Sequence, residues 1–181
     1  MKYIITSKQY KLLKEEEQEV LHIPSINLFG GWYGLQEFLK RRGNPPFSIG
    51  GNLNLEGEPI ESLGNLISVG GFLNLDNTPI KSLGNLTSVG GTLFLAQRQI
   101  KSLGNLTSIG GNLDLRHTSI KSLGNLTSVG GYLDLYKSSI KSFGNLTSVG
   151  EFLDLEYTPF AKKYTEEQIR DMVSVGEEIY L

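Results

Sequence analysis

The chain has 181 residues, enough for one domain or a small pair. Its 39% hydrophobic and 20% charged residues describe a packed protein rather than a disordered one. Seventeen Lys and Arg against nineteen Asp and Glu leave a net charge of −2, without the basic excess a general nucleic-acid binder uses to displace counterions. There is no cysteine and there are two histidines, His22 and His117. That excludes disulfides, thiolate-bound zinc, iron–sulfur clusters, thiol nucleophiles and multi-histidine metal centres.

The opening MKYIITSKQYKLLKEEE holds no apolar run of signal-peptide length, and no segment approaches the ~20 apolar residues of a membrane span. The expectation is a cytoplasmic protein with no membrane partner. Ser7 suits the N-cap of a helix over about residues 8–21, ended before Pro24. A second helix is expected over about residues 32–42, with Trp32, Leu35, Phe38 and Leu39 on one side. Gly43 is its C-cap, and Lys40, Arg41 and Arg42 lie in its last turn, where cations suit the helix dipole. Residues 1–48 therefore read as an N-terminal helical cap.

From Ile49 a repeat takes over. Val or Ile followed by Gly-Gly recurs at Ile49, Val69, Val89, Ile109 and Val129, and Val149 opens a sixth copy with Gly150-Glu151; the spacing is twenty throughout. Self-similarity at that period indicates a solenoid, because a propeller blade needs about twice the length. The paired leucines, such as Leu113 and Leu115, alternate with period two and predict a short strand with both inward. The columns of Ile60, Leu63 and Leu66 and their equivalents complete six inward apolar side chains per turn. Gly64, Gly84, Gly104, Gly124 and Gly144 in L-G-N-L suit positive φ. Of the paired glycines, only the first is expected to need a conformation closed to other residues, since Glu151 replaces the second. Residues 49–160 thus form about six turns, a parallel strand stack of roughly 25–30 Å at ~4.8 Å per strand. Beyond it, Thr165-Glu166-Glu167-Gln168 is a capping box that opens a helix carrying Ile169, Met172 and Val173 towards the last turn. Residues 161–181 read as a C-terminal helical cap. The fold class is a β-rich repeat solenoid with a cap at each end, as an exposed core cross-section requires.

The pattern L-x-L-x-x-T-x-I-x-x-L resembles the leucine-rich repeat. Thr78, Thr118 and Thr158 stand where that family usually has Asn, and Glu58, Arg98 and Ser138 hold the place in other copies. The wording S-L-G-N-L-T-S-V-G-G is similar to the short turns of receptor L-domains. The opening KYIITSKQYKLL and the closing KKYTEEQI…IYL look like the ends of small bacteriophage-encoded leucine-rich-repeat proteins. The resemblance implies a ligand surface on the outward strand residues.

Those residues vary while the core columns do not. Phe72, Phe94, Tyr132, Tyr136 and Phe152 are candidate anchors for a partner, since aromatics dominate interface hot spots. Asp114, Asp134 and Asp154 fall in register on consecutive turns, with Arg116 beside them. Carboxylates ~5 Å apart repel, so at least one pKa should rise. A basic protein segment or a Ca²⁺ ion would relieve the repulsion; a solvated acidic stripe that deters sheet-to-sheet contact is the other account. A second ladder, Lys81, Lys101, Lys121 and Lys141, reads as solubility, with Ser62 and its equivalents bonding turn backbone beside it.

Parallel β-helix polysaccharide lyases also stack acidic residues, with Ca²⁺ and a proton-abstracting base, and Asp114, Asp134 and Arg116 make a loose analogue. The loops that would build a cleft are missing, and no nucleophile–base pair or phosphate loop can be argued. The expectation is therefore a monomeric, non-enzymatic module without cofactor or metal. It recognises a protein, with a basic segment, through Phe72, Phe94, Asp114, Arg116, Tyr132, Asp134, Tyr136, Phe152 and Asp154. A glycan-binding or Ca²⁺-dependent polysaccharide-active solenoid and a structural assembly protein are the alternatives.

Overall fold

The computed structural model describes residues 19–96 and 100–181. Arg98 and most of the helix expected over residues 8–21 lie outside them. The end of that expectation is corrected: Leu21–Ile23 is a strand, β1, paired in parallel with β2, Phe47–Ile49. Ile23 is buried and extends the Ile49 column of the core. Pro24, which has no N–H to donate, accepts from Gly51 through its carbonyl.

The described chain is a parallel β-solenoid with two sheets. The first contains β1, β2, β4 (Leu66–Val69), β6 (Ser88–Val89), β8 (Ser108–Ile109), β10 (Ser128–Val129), β12 (Ser148–Val149) and β14 (Ser174–Val175). The second contains β3 (Leu53–Asn54), β5 (Leu73–Asn74), β7 (Leu93–Phe94), β9 (Leu113–Asp114), β11 (Leu133–Asp134), β13 (Leu153–Asp154) and β15 (Ile179–Tyr180). Neighbours pair in parallel, and between β4 and β12 the partner lies twenty residues on, Ser88 opposite Ser108 and Leu113 opposite Leu133. All six apolar columns are buried; Leu113, Leu115, Ile120, Leu123 and Leu126 are 0% exposed. A single rung has no such core, so the stacking of rungs supplies the burial that folds them.

Polar side chains close the corners. The hydroxyls of Ser62, Ser82, Ser102, Ser122 and Ser142 each accept the N–H of the glycine two residues on. Those glycines have φ near +60°, as the L-G-N-L wording predicts. The buried hydroxyls of Thr78, Thr118 and Thr158 donate to the carbonyl of the leucine three residues back at 2.6–2.7 Å. Thr87, Thr107, Thr127 and Thr147 each give both N–H and Oγ1–H to a carbonyl one rung earlier.

From the second pair onward the first glycine is required, but for a different reason from the one the sequence suggests. Gly110 does not have positive φ. A Cβ there would land on the backbone carbonyl of Gly90, one rung earlier, so close stacking excludes a side chain.

At the ends the rungs lengthen. Ile23 pairs with Ile49 and Val149 with Val175, twenty-six residues apart rather than twenty, and a helix takes up the difference each time. Helix α1 (Trp32–Lys40) buries Trp32, Leu35 and Leu39, and Gly43 follows it at φ +78°. Helix α2 (Glu166–Met172) has the expected capping box between Thr165 and Gln168. Ile169 and the extended cap residue Val173 are buried, whereas Met172 is 46% exposed rather than packed on the last turn. Residues 161–181 also carry β14 and β15, so this segment adds a rung to both sheets.

Candidate recognition face

The outward face of the second sheet carries three columns. In the central one, Asn or Asp follows the first inward leucine on every repeat but that of Phe94, and its Oδ1 accepts the N–H two residues on. Asn54, Asn74, Asp114, Asp134 and Asp154 all do this, at 2.8–3.1 Å. The aspartates are therefore turn formers first, and each keeps a second oxygen. This corrects the picture of a solvated stripe: Asp114 is 4% exposed, and Asp134 and Asp154 are half-buried.

Arg116 lies across this column. Its Nε and Nη2 reach the two carboxylate oxygens of Asp114 at 2.9 and 2.6 Å, and its Nε also lies 3.4 Å from Asp134. The bidentate pairing holds the guanidinium pKa well above its ordinary value. Asp134 has its pKa raised. Burial is the largest cause, opposed by the hydrogen bond from the Tyr136 N–H; the charges of Asp154 and Asp114 raise it further and Arg116 lowers it. The repulsion expected from the register is present, but as the smaller contribution.

Aromatic rings flank the acids. On one side Tyr132 stacks on Phe152, 4.8 Å between centroids and 8° between planes, and Phe152 meets the edge of Tyr180 at 5.7 Å. Burial, followed by the charges of Asp114 and Asp134, raises the Tyr132 phenol pKa. On the other side Tyr136 packs edge-on with His117 at 5.6 Å and with Tyr157 at 5.4 Å. Asp114, Arg116, Tyr132, Asp134, Tyr136, Phe152 and Asp154 thus share one patch in the C-terminal half of the stack. Phe72 and Phe94 form a separate edge-to-face pair at 6.5 Å on earlier rungs.

Tyr157, Lys137 and Tyr180 join the patch without having been singled out in the sequence. Tyr180 had a signal: SVGEEIYL at the chain's end repeats SVGEFLDL, residues 148–155, with β15 paired to β13. The first sheet bears a shallow groove of about 680 Å³, floored by the serine and glycine columns, with a 2.7 Å His22 Nδ1–Ser48 Oγ hydrogen bond at its β1 end. Among the described residues no three His, Asp or Glu side chains converge to hold a metal ion, and no helix is long and apolar enough to cross a membrane.

Fold and face define a class, a parallel β-solenoid of twenty-residue repeats with one outward face rich in aromatic and acidic side chains. Compared with family models, with curated proteins and with solved structures, the chain matches none.

The state of Asp134 predicts a pH effect. Folded, it binds its proton more tightly than unfolded, so between the ordinary value of 3.8 and the raised one the folded chain holds more protons. Stability from this group falls as pH rises through that window and stays lower at neutral pH. Asp134→Asn keeps the turn acceptor, as Asn74 does, and removes the buried charge. Thermal melts should show a gain of about 0.5–1 kcal/mol at pH 7, disappearing below pH ~4. A loss at pH 7 would mean that the Arg116 contact outweighs burial.

Proposed function

We propose that the chain is a non-enzymatic binding module that recognises a protein through a basic segment seated on the second sheet. One observation carries this reading: a recessed row of three carboxylates, only partly neutralised by Arg116, runs between two walls of aromatic rings. Rings of this kind supply contact area at low entropic cost, and the acids select the sign of the partner's charge. The repeat is read as a short leucine-rich type, supported by the buried L-x-L pairs and the hydroxyl bonds of Thr78, Thr118 and Thr158. A bacteriophage source and a cytoplasmic location belong to the same proposal and rest on the sequence.

The test is titration with a lysine- and arginine-rich peptide, followed by calorimetry. Tyr132→Ala and Phe152→Ala should each weaken binding at least about tenfold, the scale of a hot-spot loss, with melting little changed. Equal affinity in native and variant chains would reject the face.

A second reading, glycan binding, draws on the groove of the first sheet, whose serine column runs along the solenoid axis. Linear oligosaccharides, with and without Ca²⁺, would bind there and leave the Tyr132 and Phe152 variants unaffected.

A further inference from the structure

Beside the acidic row, Lys137 folds back over the chain's own rings. Its Nζ stands 4.9 Å from the centroid of Tyr136 and 5.4 Å from that of Tyr157, and the two rings meet edge to face. The backbone builds this arrangement. Lys137 is the left-handed residue of its rung at φ +54°, and His117 and Tyr157 hold the same position on the neighbouring rungs at +57° and +59°. The three side chains therefore stack in one column, with Tyr136 alongside. Among the described residues no carboxylate lies within ion-pair distance of Lys137, so the rings are its cation partner. Tyr157 is 68% exposed, which leaves its ring open to another molecule.

We propose that Tyr136 and Tyr157 form an alkylammonium site that Lys137 occupies in the free chain and vacates to a cationic group of the partner. The inference rests on the reading of this face as a surface for basic segments and names where one lysine-like or methylated ammonium group is held. Ring faces attract a cation within about 6 Å through their quadrupole, and a cation without N–H donors is attracted as well. Asp134, whose Oδ1 accepts the Tyr136 N–H at 3.0 Å, adds negative potential beside the rings. Lys137 competes at high local concentration because it is tethered.

The test uses the full chain and two probes of one shape, choline and its uncharged analogue 3,3-dimethylbutan-1-ol, titrated while the tyrosine ring signals are followed by NMR. Lys137→Ala should bind choline about two- to fivefold tighter than the native chain, with shifts centred on Tyr136 and Tyr157, and should not bind the neutral analogue. Adding Tyr157→Ala should remove the gain. No gain in Lys137→Ala, equal binding of the neutral probe, or a gain that survives Tyr157→Ala would each overturn the site. The basic-peptide titration separates the two ideas. Peptide binding that depends on Tyr132 and Phe152, with no choline gain, overturns the ammonium site and leaves the face standing. A choline gain with no peptide binding supports the site and rejects the broader face.

Discussion

Gly110→Ala should destabilise the stack by about 3 kcal/mol or more, lowering the melting temperature by about 6–12 °C. The added methyl would meet three backbone atoms of Gly90: its carbonyl oxygen, its carbonyl carbon and its Cα. Nothing flexible is there to give way, so the rungs would have to separate. Separation would stretch the Gly110 N–H to Val89 carbonyl bond, now 2.8 Å, and expose leucines on both sides. The matched control is Gly50→Ala. It occupies the same corner, but the preceding rung offers Pro24, whose nearest atom lies at an ordinary 3.6 Å. That variant should melt within about 0.5 kcal/mol of the native chain. If both variants melt alike, the axial contact between glycines is not what holds the rungs at this spacing.

Asp114→Ala should cost about 2–3 kcal/mol, the largest loss at any single residue of the candidate face. Asp114 accepts the backbone N–H of Arg116 at 3.1 Å and two bonds from its guanidinium, from a position only 4% exposed. Truncation orphans a turn N–H and leaves Arg116 with Asp134 as its remaining carboxylate. Asp114→Asn separates the two roles, because an amide oxygen forms the same turn at Asn54 and Asn74. Its cost should be less than half that of alanine, measured by chemical denaturation. Equal losses would assign the whole effect to the charge. Arg116, freed to neutralise Asp134, should also weaken the basic peptide in both variants.

Much of the scaffold was legible in one chain because the chain repeats itself. Leu113, Leu133 and Leu153 are inward for the same reason, and the repeat shows this three times over. Residues between the inward positions were harder to read. Asp114, Asp134 and Asp154 form a column by spacing alone, yet their turn-forming role appears only when Oδ1 is seen accepting the N–H two residues on. The first glycine of each pair reads as a conformational requirement, whereas from Gly70 to Gly150 the contact that excludes a side chain comes from the previous rung. At the flanks, the strands Leu21–Ile23 and Ser174–Val175 are not legible in the repeat, because their rungs are twenty-six residues long and the period of twenty passes over them.

The amino-acid sequence by itself determined the solenoid, its inward columns and the row of candidate face residues, because a fixed period turns positions twenty apart into neighbours. Only the tertiary structure decided how that face is divided. Ring orientation, the reach of Arg116 across two rungs and the return of Lys137 over Tyr136 and Tyr157 depend on side-chain torsions and cross-rung distances, which residue order does not encode. The physical reason is that burial of leucines is non-directional and follows from pattern alone, whereas hydrogen bonds, ion pairs and cation–ring contacts require particular distances and angles.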